Sequence, residues 1–112
     1  MNASILQTSF KVRIPRDDYE EFCEDIARQI AVVPGLLWKA WVFNETRHEA
    51  GGMYLFENKC ALGAFVEGPI VAQLKSNPAF EDIRLSTLEL LESPSAITRF
   101  PQSTTWEVAL TE

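Results

Sequence analysis

PGLLWKAWVFNETRHEAGGMYLF, residues 34–56, is the stretch whose reading decides the fold. It holds two of the three tryptophans, the only histidine and the only Gly-Gly pair of the chain. Two apolar runs, residues 36–43 and 49–56, flank a polar segment at residues 44–48, which is the pattern of two antiparallel strands joined by a short loop. Symmetric closure of that loop sets Phe43 opposite Glu49, Trp41 opposite Gly51, Lys39 opposite Met53 and Leu37 opposite Leu55. These residues share one face, because side chains alternate with period two. The other face then carries Trp38, Ala40, Val42, Ala50, Gly52, Tyr54 and Phe56. Large rings stand at one end of it and very small side chains in the middle, so a helix laid across it leaves a space. A bulge in the loop would shift the register and exchange the faces.

Both faces of residues 36–43 are apolar, and neither can be left to water without an exposed hydrophobic patch. Two helices cover one face. The other is expected to meet the same face of a second copy, an isologous homodimer through Leu37, Lys39, Trp41 and Met53. A lysine in such an interface needs a counter-charge, for which Glu49 and Glu89 are candidates; the alternative is that Lys39 reaches a substrate phenolate.

Outward from the hairpin, the chain repeats the same logic. Leu6, Thr8, Phe10, Val12 and Ile14 alternate with polar residues and predict a first strand. Pro15 breaks it, and Asp17, Asp18, Glu20 and Glu21 open a helix whose positive dipole end favours them. Tyr19, Phe22, Cys23, Ile26, Ala27, Ile30 and Val33 form its apolar side, and Pro34-Gly35 ends it. After the hairpin Asn58 caps a second helix bearing Leu62, Phe65 and Val66; Gly68-Pro69 interrupts it, a restart carries Ile70 and Leu74, and Asn77-Pro78 ends that. Residues 83–91 predict a fourth strand. The order β-α-β-β-α-β is that of a ferredoxin-like α+β sandwich, a four-stranded antiparallel sheet with two helices on one face. The expected division is a body at residues 1–99 and a C-terminal extension at residues 100–112. The tail's apolar Ile97, Phe100, Trp106, Val108 and Leu110 suit packing on the body or the partner, with a short strand at residues 106–110.

With 112 residues, 46% of them hydrophobic, the chain is one domain able to bury a core. Its formal net charge of −6 disfavours nucleic acid and acidic membrane surfaces as partners. No apolar run reaches the roughly 20 residues needed to span a bilayer. The first residues lack the pattern of a secretory signal, so a cytoplasmic location is expected. Cys23 and Cys60 fall in predicted helices without metal-ligand spacing and are expected to be reduced, semi-buried core residues.

The elements LW-K-x-W and HEAGGxYLF within residues 34–56 resemble the YdhR-type monooxygenases of the dimeric α+β barrel superfamily, with weaker similarity from about Leu6 to Ile97 that includes the Glu92-Ser93-Pro94 turn. The resemblance implies a homodimer with facing sheets and a pocket between sheet and helices. It also implies kinship with enzymes that oxidise polycyclic phenols with molecular oxygen and no cofactor. The competing reading is a small-molecule-binding or stress-associated dimeric module without chemistry; an isomerase or lyase on the same fold is a third.

Such an oxygenation needs an apolar, aromatic-lined cavity, a base, and a donor for the developing oxyanion. In the register above, Trp38 and Tyr54 sandwich a ring system, Tyr54 adds a hydroxyl, and Val42, Gly52 and Phe56 line the same face. His48, whose side chain titrates nearest neutrality, is the candidate base beside Tyr54 as the second catalytic group, with Asn44 at the rim. One histidine and no ligand cluster argue against a metal built by the protein, and haem would need His48 or Tyr54 as axial ligand and a larger cavity.

Overall fold

The computed structural model describes residues 3–101. Strand β1 (Ser4–Val12) leads to helix α1 (Arg16–Ala31), the hairpin β2 (Leu36–Asn44) and β3 (Glu49–Phe56), helices α2 (Lys59–Val66) and α3 (Pro69–Ser76), strand β4 (Phe80–Glu89) and a short helix α4 (Glu92–Ile97). The strands form one antiparallel sheet in the order β2-β3-β1-β4. This is the expected ferredoxin-like α+β fold.

Local chemistry accounts for the boundaries. Pro15 stands before α1, Asp17 and Asp18 lie in its first turn, and Tyr19, Ile26 and Ile30 form its buried side. The turn behind it closes at Gly35, whose φ of 80° suits glycine alone at little cost. Asn58 caps α2 by accepting from the Ala61 amide at 2.8 Å. Pro69 begins α3, where its missing N–H is not needed.

The helix-facing side of the sheet is buried by two adjoining clusters. One gathers Leu6, Tyr54 and Phe56 under Ile26, Ile30, Leu62, Phe65 and Val71; the other gathers Phe10, Val12, Ala50 and Phe80 under Tyr19. Leu6, Leu55 and Phe56 are fully enclosed, and each such side chain contributes about 1.5–3 kcal/mol through its burial.

Three expectations are corrected. The hairpin register is displaced by one residue: Asn44 faces Glu49, Phe43 faces Ala50, Trp41 faces Gly52, Lys39 faces Tyr54 and Trp38 faces Leu55. Asn44 belongs to the ladder and its Oδ1 accepts from the Arg47 amide at 3.1 Å, so the loop has four residues, ending at His48 with a φ of 52°. The slip turns over the β2 side chains from Trp38 onward, while the irregularity between Leu36 and Trp38 leaves Leu37 on its expected, outward side. Lys39, Trp41 and Phe43 therefore face the helices, while Trp38, Ala40 and Val42 face away; the β3 residues keep their assigned sides.

The second correction follows from the first: Lys39 and Trp41, expected at a dimer face, lie on the helix side, and part of the outward face is covered by the chain itself. Phe100 packs on Trp38 with ring centroids 5.3 Å apart, and the Trp38 indole N–H donates to the Pro101 carbonyl at 2.6 Å. Ile5, Leu55 and Leu90 are buried beneath these groups. Residues 106–110 lie outside the described residues. The third correction is Cys60, which is exposed at the start of α2, where Cys23 is half-buried as expected.

Candidate functional site

Between the sheet and the helices lies a small internal cavity of about 30 Å³. Its floor is Thr8 and Phe10 of β1, Lys39 and Trp41 of β2, Tyr54 of β3 and Leu85 of β4; Tyr19, Phe22, Ile26 and Ile30 of α1 and Phe65, Ile70, Val71 and Leu74 of the α2–α3 pair close it. Lys39 is the only basic side chain among these residues.

The position of Lys39 follows from the sequence around it. Residues 39 and 41 are two apart on one strand and so point the same way, and Tyr54 stands directly across from Lys39. Its Nζ comes within 3.3 Å of the Trp41 ring centroid and 4.4 Å of the Tyr54 centroid, a cation–π arrangement on two sides. Gly52 makes this possible. A Cβ there would stand 2.6 Å from Lys39 Cε, so the missing side chain leaves the room in which the lysine lies along the helix-facing side of the sheet. The neighbouring Gly51 answers a different demand, because a Cβ at that position would lie 1.9 Å from the Thr8 carbonyl oxygen of β1.

Burial shifts the titration of this group and its neighbours. Removal from water disfavours the ammonium and brings Lys39 down to about 7, with the nearby Cys23 thiol acting the other way. Among the described residues no carboxylate pairs with Lys39, and Glu49, expected as its partner, pairs with Arg47 at 3.3 Å instead. Burial pushes Tyr54 upward, and it pushes Tyr19 upward together with a hydrogen bond to Cys23. Cys23 is raised by burial as well. Both tyrosines are therefore neutral hydroxyls at physiological pH.

Of the residues singled out from the sequence, Tyr54 and Gly52 are in this region, and Phe56 stacks behind Tyr54 with centroids 6.1 Å apart. Trp38 and Val42 are on the opposite face of the sheet. Asn44 is held in the hairpin turn. His48 sits at the hairpin end, six residues from Tyr54 and hence roughly 20 Å along the strand. Its Nε2 lies 2.8 Å from the Ile14 carbonyl and its ring meets Phe43 edge-on, so it ties the hairpin to the β1–α1 junction. Lys39 and Trp41, assigned from sequence to a dimer face, are the residues that the site gains. The signal that finds them is the Asn44 side chain, which can cap a four-residue loop and so displaces the register.

A larger, open groove of about 570 Å³ adjoins the cavity, lined by Val32, Val33 and Gly35 beyond α1, by Ala61 and Ala64 of α2, and by Pro69. Phe65 and Ile70 line both spaces. Among the described residues, no group of three His, Cys, Asp or Glu side chains is placed to hold a metal ion, and no helix is long and apolar enough to cross a membrane.

Comparison with known proteins bears on this geometry. The family model described as "Putative mono-oxygenase ydhR" matches residues 5–101. No curated protein sequence matches the chain. Among solved structures, SnoaB, a cofactor-independent oxygenase from Streptomyces nogalater, superposes with a TM-score of 0.67 at 10% identity over 83% of this chain and 97% of its own. A protein of unknown function from Nitrosomonas europaea gives 0.66 at 17% identity over 91% and 97%. The heme-degrader MhuD of Mycobacterium tuberculosis, solved with two hemes bound in its active site, gives 0.61 at 18% identity over 79% and 95%. At these identities the likeness is one of fold.

Proposed function

The chain belongs to the ydhR mono-oxygenase family, and from that premise we propose that it oxidises a bulky, electron-rich aromatic molecule, phenolic or polycyclic, with molecular oxygen and no cofactor. The observation that carries this reading is the space between sheet and helices that is lined by the rings of Trp41, Tyr54 and Phe65 and by a single lysine. A phenolate is rich enough in electrons to give one to oxygen, so the protein has only to bind, deprotonate and orient it. The neutral Tyr54 hydroxyl is a donor suited to an oxyanion. The fold shared with the cofactor-independent SnoaB supports the same chemistry.

A polycyclic body exceeds the inner cavity but not the groove beside it. In this reading the body lies in the groove and its hydroxyl-bearing ring enters by displacing the Phe65 and Ile70 side chains, because the inner cavity of about 30 Å³ has room for only about two waters as it stands. The substrate contacts are Lys39, Trp41, Gly52 and Tyr54, and His48, Trp38 and Val42 lie outside them. The protein acts as a homodimer through the outward face of its sheet, where Val42 and Leu88 remain 52% and 44% exposed beside Met53. Phe100 and Pro101 cover the end of that face near Trp38.

Oxygen uptake with a panel of anthrone-like phenols, in chelator and without flavin, tests the reaction. Consumption of oxygen with formation of hydroxylated or quinone product is expected. Tight binding without oxygen consumption would replace this reading with a non-catalytic binding module, product formed under strict anaerobiosis would replace it with an isomerase or lyase, and turnover that needs added haem would replace it with haem chemistry.

A further inference from the structure

We infer that Lys39 is the group that takes the proton from the substrate's phenolic hydroxyl, so that the ligand is held in the cavity as a phenolate against a lysine ammonium. The inference rests on the phenolic reading above and assigns a base to it.

The argument is one of position and charge. A proton acceptor must be neutral before the transfer and tolerated as a cation after it. The first condition is met by the neutral fraction of the amine, about half of it at neutral pH and more above, because its partial burial disfavours the ammonium and no carboxylate among the described residues holds its proton in place. The second is met because the Trp41 and Tyr54 ring faces flank Nζ at 3.3 and 4.4 Å, and a ring face attracts a cation without neutralising it. The titratable groups facing the amine are Tyr54 from β3 and Tyr19 and Cys23 from α1, all raised by burial and hence uncharged at neutral pH. Glu20 acts on Cys23 and is engaged with Arg16. Among the described residues none brings a full charge to the new ammonium, so the charge that stabilises it is one brought by the ligand.

The step balances simply: the phenol O–H bond breaks, an N–H bond forms on Nζ, and the ion pair remains in place. It selects for weakly acidic hydroxyls on conjugated rings. A carboxylic acid arrives already ionised and needs no base, and an aliphatic alcohol is too weak an acid to ionise.

The test uses 4-hydroxyacetophenone, whose phenol and phenolate absorb at different wavelengths, titrated with the full-length protein in neutral to slightly alkaline buffer, where the free compound is still mostly protonated and the amine is largely neutral. The wild-type protein is expected to generate the phenolate band stoichiometrically with bound ligand, and Lys39→Met to bind without it. With an accepted substrate, Lys39→Met is expected to lose about 100-fold in kcat at neutral pH and to lose the rise of kcat/KM with pH centred near 7. An equal phenolate band in Lys39→Met, a ligand bound to wild type only as the phenol, or no binding at all would overturn the assignment. Oxygen uptake keeps the two readings apart. A phenolate band without uptake removes the oxygenase and keeps the base, whereas undiminished uptake by Lys39→Met removes the base and keeps the oxygenase.

Discussion

Lys39 reaches the cavity across the space left by Gly52, its Cε passing 2.6 Å from where a Cβ on that residue would stand. The relationship joins two residues that cross-strand pairing alone would not put together, since Tyr54 and not Gly52 is the direct cross-strand neighbour of Lys39. It makes the glycine a determinant of where the amine lies, and it separates the roles of the two adjacent glycines.

Gly52→Ala is accordingly expected to move the end of a flexible side chain and leave the sheet paired, since the nearest obstacle is Lys39 itself and the Ala40 carbonyl at 3.0 Å is only tight. A stability loss of about 1–2 kcal/mol with a large loss of phenolate binding is the expected result. Gly51→Ala, which drives a methyl group into the Thr8 carbonyl, should cost about 3 kcal/mol or more. Urea denaturation of both variants checks the order, and equal costs would contradict the division of roles.

The lowered titration of Lys39 also predicts how stability varies with pH. A base whose folded-state value falls to about 7, against about 10.4 unfolded, binds fewer protons in the native state between those limits, so its contribution to stability rises with pH across that window. Below about 7 the amine is protonated in both states and the cost of burying it is fully present. Cys23, Tyr19 and Tyr54, all raised, act in the opposite direction as pH climbs past their unfolded values, so the rise is clearest between about pH 7 and 8.5. Thermal melts of wild type should climb by a few degrees there. Lys39→Met should melt higher than wild type at pH 6 to 7 and show a flatter profile.

The fold was readable because each element has its own local cause: alternation in β1, the acidic first turn of α1, the Asn58 cap and the Gly68-Pro69 break. The site was readable only in part, and the reason is a single loop. Alternation fixes which β3 residues share a face, so Gly52, Tyr54 and Phe56 were grouped correctly. Which β2 face joins them depends on whether the turn has four residues or five, and that is decided by the Asn44 side chain and by the left-handed backbone at His48. Neither leaves a trace in hydrophobic periodicity, because both faces of β2 are apolar. The single charged residue in that strand, Lys39, is the one whose placement the slip reverses.

His48 supplies a contrast to Lys39. Its Nε2 is committed to the Ile14 carbonyl at 2.8 Å and its backbone is left-handed. His48→Ala is expected to lose about 1–2 kcal/mol, from the hydrogen bond and from a Cβ residue that gains nothing in return for its left-handed conformation. Its kcat on an accepted substrate should stay within twofold of wild type. A hundredfold loss of kcat with unchanged stability would return the histidine to the reaction.

The outward face of the sheet tests the assembly. Phe100 and Pro101 shield the end near Trp38 and Leu55, while Val42 and Leu88 lie farther out and stay open to water. If a second copy covers them, Val42→Asp places a charge in an apolar contact, doubled by two-fold symmetry, and the dimer should dissociate at micromolar concentration. The isolated subunit pays almost nothing, because the position is more than half exposed, and its melting temperature should change only through the lost association. Sedimentation velocity across a concentration series distinguishes the cases. A wild-type chain that sediments as a folded monomer throughout would mean that the cover supplied by its own C-terminal segment suffices.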